Sequence, residues 1–211
     1  MSAFLGPIHH WLFKKILVVE SRAFAIANGL KEKHGEDIQT IINDYGEKLE
    51  GKDLGELVGQ NSIHTFLDGL IAKTDVFEAQ LVKAADGDFD KVLEIADAHG
   101  GEAAKNALAA SGKDSATIDE LPQYINDHQL EGMPCDPGAE FENNDGQVRY
   151  GHRTCNHMQN WNYTGVEGEK MCQVTNSWLG GFIKGLNGDV KYKVLKTIAG
   201  GADSCESHIE A

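Results

Sequence analysis

Apolar residues at Ile8, Leu12, Ile16 and Val19 recur at helical spacing, continued by Ala23, Ile26, Ala27 and Leu30. Gly6-Pro7 opens this helix, since proline suits an early helical position. His34-Gly35 closes it, with Lys31, Lys33 and His34 favourable at a C-terminus. The same spacing predicts a second helix from about Asp37 to Glu50 and a third from Leu54 to Ala72. Residues 75–130 read as shorter helices split by Gly and Asp. Phe77 and Leu81 lie on one, Phe89, Val92 and Ala96 on the next, and Ala103 to Ala110 form a helix-favouring run. Asp114-Ser115 caps a further turn through Ile118, Leu121 and Ile125, with Pro122 kinking it or opening another helix.

At Glu131 to Gly138 the pattern changes. Pro134 and Pro137 flank Cys135 and Asp136, and the period then becomes alternating. Asn144-Asp145-Gly146 is a hairpin turn signal joining Ala139–Asn143 to a longer strand, Gln147 to Cys155. A helix from Gly168 to Leu186 follows, with Met171, Val174, Trp178, Phe182 and Leu186 on one stripe. Strands over Val190–Ile198 and Ser204–Glu210 complete the chain. The fold class is α+β, with an antiparallel sheet and packed helices: a helical N-terminal region over 1–130 and a cysteine-containing α+β unit over 131–211.

Composition narrows the function. The 211 residues carry a formal net charge of −14. Residues 36–145 alone hold 25 acidic and 7 basic side chains, between near-neutral ends. Such a chain repels a phosphate backbone, so no nucleic-acid partner is expected, and an acidic middle of this kind reads as a solvated surface. The apolar run Ile16–Val19 is too short to span a bilayer and is cut by Glu20 and Arg22, so neither a membrane segment nor a signal peptide is expected. A cytoplasmic location follows by default, where Cys135, Cys155, Cys172 and Cys205 act as thiols or metal ligands rather than disulfides.

Three of these cysteines fall at element ends of the C-terminal unit. Thiolates select zinc, copper(I) or iron–sulfur centres, and three converging thiols supply most of such a site, with Cys135 or His157 as fourth ligand. The plain alternative is that they are small buried hydrophobes, as free cysteine usually is. Cys172, near a helix N-terminus, is also a candidate nucleophile, activated by His152, His157 or His208. Arg149 and Arg153 share a strand face with Cys155 and could hold a carboxylate; Trp178 is grouped with them as a ligand-binding candidate. The opposite face, from Val148 through Tyr150, His152 and Thr154, reads as core with a polar pocket edge, and Trp161 and Tyr163 as a polar loop at a pocket rim. His9 or His10 could bind haem, less readily than the cysteines bind metal. No Walker loop, Rossmann fingerprint, HExxH or GxSxG occurs.

Arg153-Thr154-Cys155, Met171-Cys172, the helix with Trp178 and Gly180-Gly181, and Gly201-Ala202-Asp203-Ser204-Cys205 together resemble the C-terminal half of the 4-vinyl reductase domain superfamily, specifically its aminothiazoline-carboxylate hydrolase-like branch. The likeness covers about residues 147–210. It implies the α+β ligand-binding fold shared with haem-based nitric-oxide sensors. In related phenol-sensing regulators thiolates and a carboxylate hold zinc beside a pocket. Cys172 and Cys205 fall on two of those ligand positions; the other two are replaced around Leu195 and Ile198, so Cys155, Cys135 or His157 would complete a different set.

The expected function is therefore a small-molecule-binding protein with a cysteine-ligated metal centre, zinc or iron–sulfur. It is a hydrolase of a small carboxylate such as a thiazoline carboxylate if coordination is open. The alternative is a redox, haem or iron–sulfur sensor without turnover. Related folds often form homodimers, and the sequence leaves both turnover and oligomeric state open.

Overall fold

The computed structural model describes residues 5–144 and 146–211. Helix α1 runs from Pro7 to Tyr45 and ends at Gly46, whose φ is 82°. It passes through His34, where φ −118° and ψ 31° leave the helical region. The stop expected at His34-Gly35 is thus a kink. The helix resumes because Ile38 and Tyr45 beyond it are buried in the core, and the kink is tied down by Lys33 and His34, both bonded to Asp88. Helix α2 (Leu54–Val58) is short, capped by Asp53, whose carboxylate accepts the Glu56 N–H, and stopped by Gly59 at φ 55°. The single helix expected over Leu54–Ala72 is accordingly broken, and α3 runs from Ile63 to Ala84.

Helix α4 (Phe89–Ser111) is continuous through Gly100-Gly101, where the sequence suggested a break. A 3-10 turn (Ile118–Glu120) leads into α5 (Leu121–His128), and its first N–H, on Thr117, is accepted by the Glu120 carboxylate. Thr117, not Asp114-Ser115, therefore marks this start. Trp11 Nε1 donates to Asp127, fastening α1 to α5. Arg22 and Glu78 form a buried two-bond ion pair, 2.5 and 2.7 Å, joining α1 to α3.

The C-terminal unit contains β1 (Glu140–Asn144), β2 (Gln147–His152), α6 (Met158–Thr164), α7 (Gly168–Leu186), β3 (Lys191–Lys196) and β4 (Cys205–Glu210). The sheet is antiparallel throughout, in the order β1-β2-β4-β3. Asp145 of the expected hairpin turn lies outside the described residues. One sheet face carries Val148, Tyr150, Ser207 and Ile209, all buried; the other carries Glu142, Arg149 and His208, the middle of the three an ion-paired arginine. Strand β2 ends at His152, three residues earlier than expected, and the segment expected as a loop around Trp161 is helix α6. No helix among the described residues is long and apolar enough to cross a membrane.

The helical region and the sheet unit share one hydrophobic core. It contains Phe77 of α3, Val92 and Ala96 of α4, Trp178 and Phe182 of α7, and Val148 and Ile209 of the sheet. Helix α7 lies between the sheet and α4, and the contact with α4 is backbone to backbone. A Cβ at Gly181 would fall inside the van der Waals shell of the Asp97 carbonyl, and one at Gly100 inside that of the Trp178 carbonyl. Gly181→Ala is expected to lower stability by about 1–3 kcal/mol through this overpacking. Gly69→Ala, on an exposed turn of α3 with open space around it, is expected to raise stability by about 0.5–1 kcal/mol. Urea denaturation of the two variants reads both signs.

Candidate functional site

The C-terminal end of β2, the start of β4, α6, the first half of α7 and residues 129–131 enclose a cavity of about 80 Å³. Three cysteines distant in sequence line it: Cys155 from the β2–α6 connection, Cys172 from α7 and Cys205 from β4. An apolar cavity of about 150 Å³ accommodates benzene, so this one fits a group smaller than benzene.

Each thiol is mainly shaped by burial. Burial pushes Cys172 up to about 12, and the neighbouring Cys155 and Cys205 add to the effect. Cys172 is the fifth residue of α7, beyond the first turn where the dipole acts, so the depression expected from the helix N-terminus is outweighed. Burial also raises Cys155, against backbone N–H groups of His157 and Met158. It raises Cys205 against the Ile198 N–H, which donates to Sγ at 3.3 Å. All three rest as neutral thiols at neutral pH.

The polar part of the wall is a carboxylate–imidazole arrangement. Glu131, in the connection after α5, accepts the Tyr150 hydroxyl at 2.8 Å and His152 Nε2–H at 2.7 Å. Burial alone would raise its carboxyl; the hydrogen bonds from His152 and Tyr150 and the charge of Lys15 hold it below its ordinary value. Lys15 of α1 is itself buried and brought down to about 8 by desolvation, against the pull of Glu131 and Asp127.

His157 is engaged at both ring nitrogens. Nδ1 donates to Asp75 of α3 at 2.9 Å and Nε2 donates to the Leu130 carbonyl at 3.0 Å. Two oxygen acceptors require two protons, so the ring is an imidazolium. Burial alone would push it down; the Asp75 charge and hydrogen bond, with Leu130 and Glu131, outweigh burial and raise it. The ring stacks on Trp161, with centroids 5.3 Å apart. Trp161 forms part of the cavity wall and is 4% exposed, and its Nε1–H is a buried donor without an acceptor.

The sequence candidates thus divide. Cys155, Cys172, Cys205 and His157 meet at the cavity, but His157 as placed has no lone pair for a metal or a proton. Cys135 is exposed in the β1 approach, outside the cavity wall. Among the described residues no group of three or more His, Cys, Asp or Glu is arranged to hold a metal ion. Arg149 and Arg153 lie in a separate groove on the other side of the sheet, paired with Glu142, Glu206 and Glu140. They part from Cys155 because β2 ends at His152, after which the chain turns Cys155 into the cavity. Trp178 is fully buried, and its Nε1–H donates to His99 Nδ1 at 2.9 Å. Desolvation, then Arg22, pulls His99 to about 4, which keeps it a neutral acceptor. His9 accepts the Gly6 N–H and lies beside His64, away from the cysteines. Of the predicted pocket rim, His152, Thr154 and Trp161 line the cavity, while Tyr163 is 85% exposed. Glu131 and Asp75 carry no local motif; the helix stripe around Asp75 shows only that a carboxylate falls on a face otherwise buried.

Compared with family models, with curated proteins and with solved structures, the chain matches none. The fold and site define an α+β chain with a thiol-lined cavity between its sheet and helices.

His157 has a folded value raised above its unfolded one, so its stabilising contribution is complete below about pH 6.5 and is lost as pH rises through the folded value. The stability difference between wild type and Asp75→Asn is therefore expected to be largest below about pH 6.5 and to shrink as pH rises through the folded value. A difference independent of pH in urea titrations would contradict the imidazolium assignment.

Proposed function

We propose that the chain binds a small molecule in the cavity lined by Cys155, Cys172 and Cys205 and acts on it by thiol chemistry. The observation that carries this reading is the convergence of three sequence-distant cysteines on one cavity. The ligand class is a small carboxylate with a five-membered ring, of which a thiazoline carboxylate is the example. The sequence resemblance supports that class, and the unpaired Trp161 N–H offers a donor for a carboxylate or ring nitrogen. Lys196 at the cavity edge supplies a positive charge. The order hairpin, two helices, hairpin in the C-terminal unit is compatible with the hydrolase-like resemblance, which places one long helix between its strands. Hydrolysis is the proposed reaction.

The test combines metal analysis with ligand binding, on protein purified without oxygen or added metal. 2-Aminothiazoline-4-carboxylate at ten times its Kd is expected to raise the melting temperature of wild type and Cys135→Ser by about 3–6 °C. The rise is expected to be lost in at least one of Cys155→Ser, Cys172→Ser and Cys205→Ser. No rise in wild type over millimolar probe sinks the proposed ligand class. One equivalent of tightly held zinc or iron, released by those same substitutions, would make the cysteines ligands and replace thiol chemistry with a metal centre.

A further inference from the structure

We propose that His152, held in place by Glu131, takes the proton of the Cys205 thiol, forming an acid–histidine–cysteine relay for small electrophiles with a planar carbonyl or imine carbon. This inference rests on the cavity being a small-molecule site, and it assigns the nucleophile to Cys205 rather than to Cys172.

Of the two histidines in the cavity wall, His157 has both ring nitrogens committed as donors. His152 has one. Its Nε2–H is fixed on Glu131 at 2.7 Å, and the second carboxylate oxygen is fixed by the Tyr150 hydroxyl at 2.8 Å, so the acid cannot swing away. With a carboxylate as partner the proton sits on Nε2, and Nδ1 keeps the lone pair. Nδ1 makes no hydrogen bond among the described residues, and both His152 and Cys205 line the cavity.

Register supplies the pairing. His152 and Cys205 are direct cross-strand partners on antiparallel β2 and β4. Partners of this kind emerge on the same sheet face with Cβ atoms about 4.5–5.5 Å apart. The Ile198 N–H at 3.3 Å from the Cys205 sulfur is a donor suited to the negative charge that develops there. The nucleophile, base and orienting acid thus come from β4, β2 and the segment after α5, an arrangement that geometry alone identifies.

In the reaction, the thiol proton passes to His152 Nδ1 and the sulfur pair forms an S–C bond to the planar carbon. The π pair moves onto the nitrogen or oxygen. When the adduct collapses, the leaving group departs with its bonding pair and takes the proton from the imidazolium. Water then gives a proton to Nδ1 and adds to the same carbon, and the C–S bond breaks with pair and proton returning to sulfur. Glu131 touches neither substrate nor sulfur and is a positioning residue.

Iodoacetamide probes this without the natural substrate: sulfur displaces iodide, which leaves with the C–I pair, and the thiol proton goes to His152. Alkylation of the full chain, followed by peptide mass spectrometry, is expected to modify Cys205 about ten-fold or more faster than Cys155 and Cys172 near pH 7. Glu131→Gln and His152→Asn are each expected to slow Cys205 about ten-fold while leaving exposed Cys135 unchanged. Long-range proton–nitrogen spectra of wild type, which need no variant to fold, are expected to place the His152 proton on Nε2. Glu131→Gln is expected to lose that preference, a change that altered packing would not mimic. A Cys205 rate equal in wild type and both variants, or a wild-type His152 protonated on Nδ1, overturns the relay while leaving the cavity reading intact. Silence of all three cavity thiols in the native chain, with full titration after unfolding, shows instead that nothing small enters and removes the reading beneath it.

Discussion

Everything near the cavity depends on the close packing of α7 between α4 and the sheet. Gly100 and Gly181 let two helix backbones meet where any side chain would collide with a carbonyl. The approach brings Trp178 and Phe182 into a stacked pair at the centre of the core, ring centroids 4.9 Å apart. With the middle of α7 fixed there, its first turns reach the cavity, where Cys172 forms part of the wall. Interiors are close-packed, so a shift of α7 would propagate to the thiols with little loss.

Charge sets the opposite wall. Asp75 lies in a helix whose neighbouring buried positions are mostly apolar, and it is 2% exposed. Such a carboxylate is tolerable only when its oxygens are satisfied, and here His157 and Asn160 both donate to it. It thereby fixes α6 against α3. His157 then reaches across to the Leu130 carbonyl, which places the following residue, Glu131, at the cavity. The result is two histidines in one wall with opposite duties. His157 is a tie that donates from both ring nitrogens, and His152 keeps a free nitrogen.

Where burial and local spacing agree, the sequence was readable. Helix α7 begins and ends at Gly168 and Leu186 as its stripe indicates, and the four-stranded antiparallel sheet follows from alternation around the Asn-Asp-Gly turn. Failures come where distant packing overrides a local stop signal. Gly35 and Gly100-Gly101 look like helix ends, yet the helices continue because Ile38, Tyr45, Ala104 and Ala107 beyond them are buried. At α6 the polar run around Trp161 hid a helix anchored from outside by Asp75. The convergence of Cys155, Cys172 and Cys205 was partly legible, since each lies at an element end. Their partners were not, because Glu131 and Asp75 are separated from them by long stretches of chain and belong to no spacing rule.

The difference between Cys172 and Cys205 shows why position on a helix is a poor guide to reactivity. A thiol gains from a helix N-terminus only within its first turn and only while solvent or a partner supports the charge. Cys172 sits deeper, with two other sulfurs for neighbours, and its environment favours the neutral form strongly. Cys205 is also buried enough to rest neutral, but it begins β4, an inner strand of the sheet, where a backbone N–H faces the sulfur and a histidine stands on the paired strand. A neutral thiol beside a base is stable until an electrophile arrives and transfers its proton only in the act of bonding.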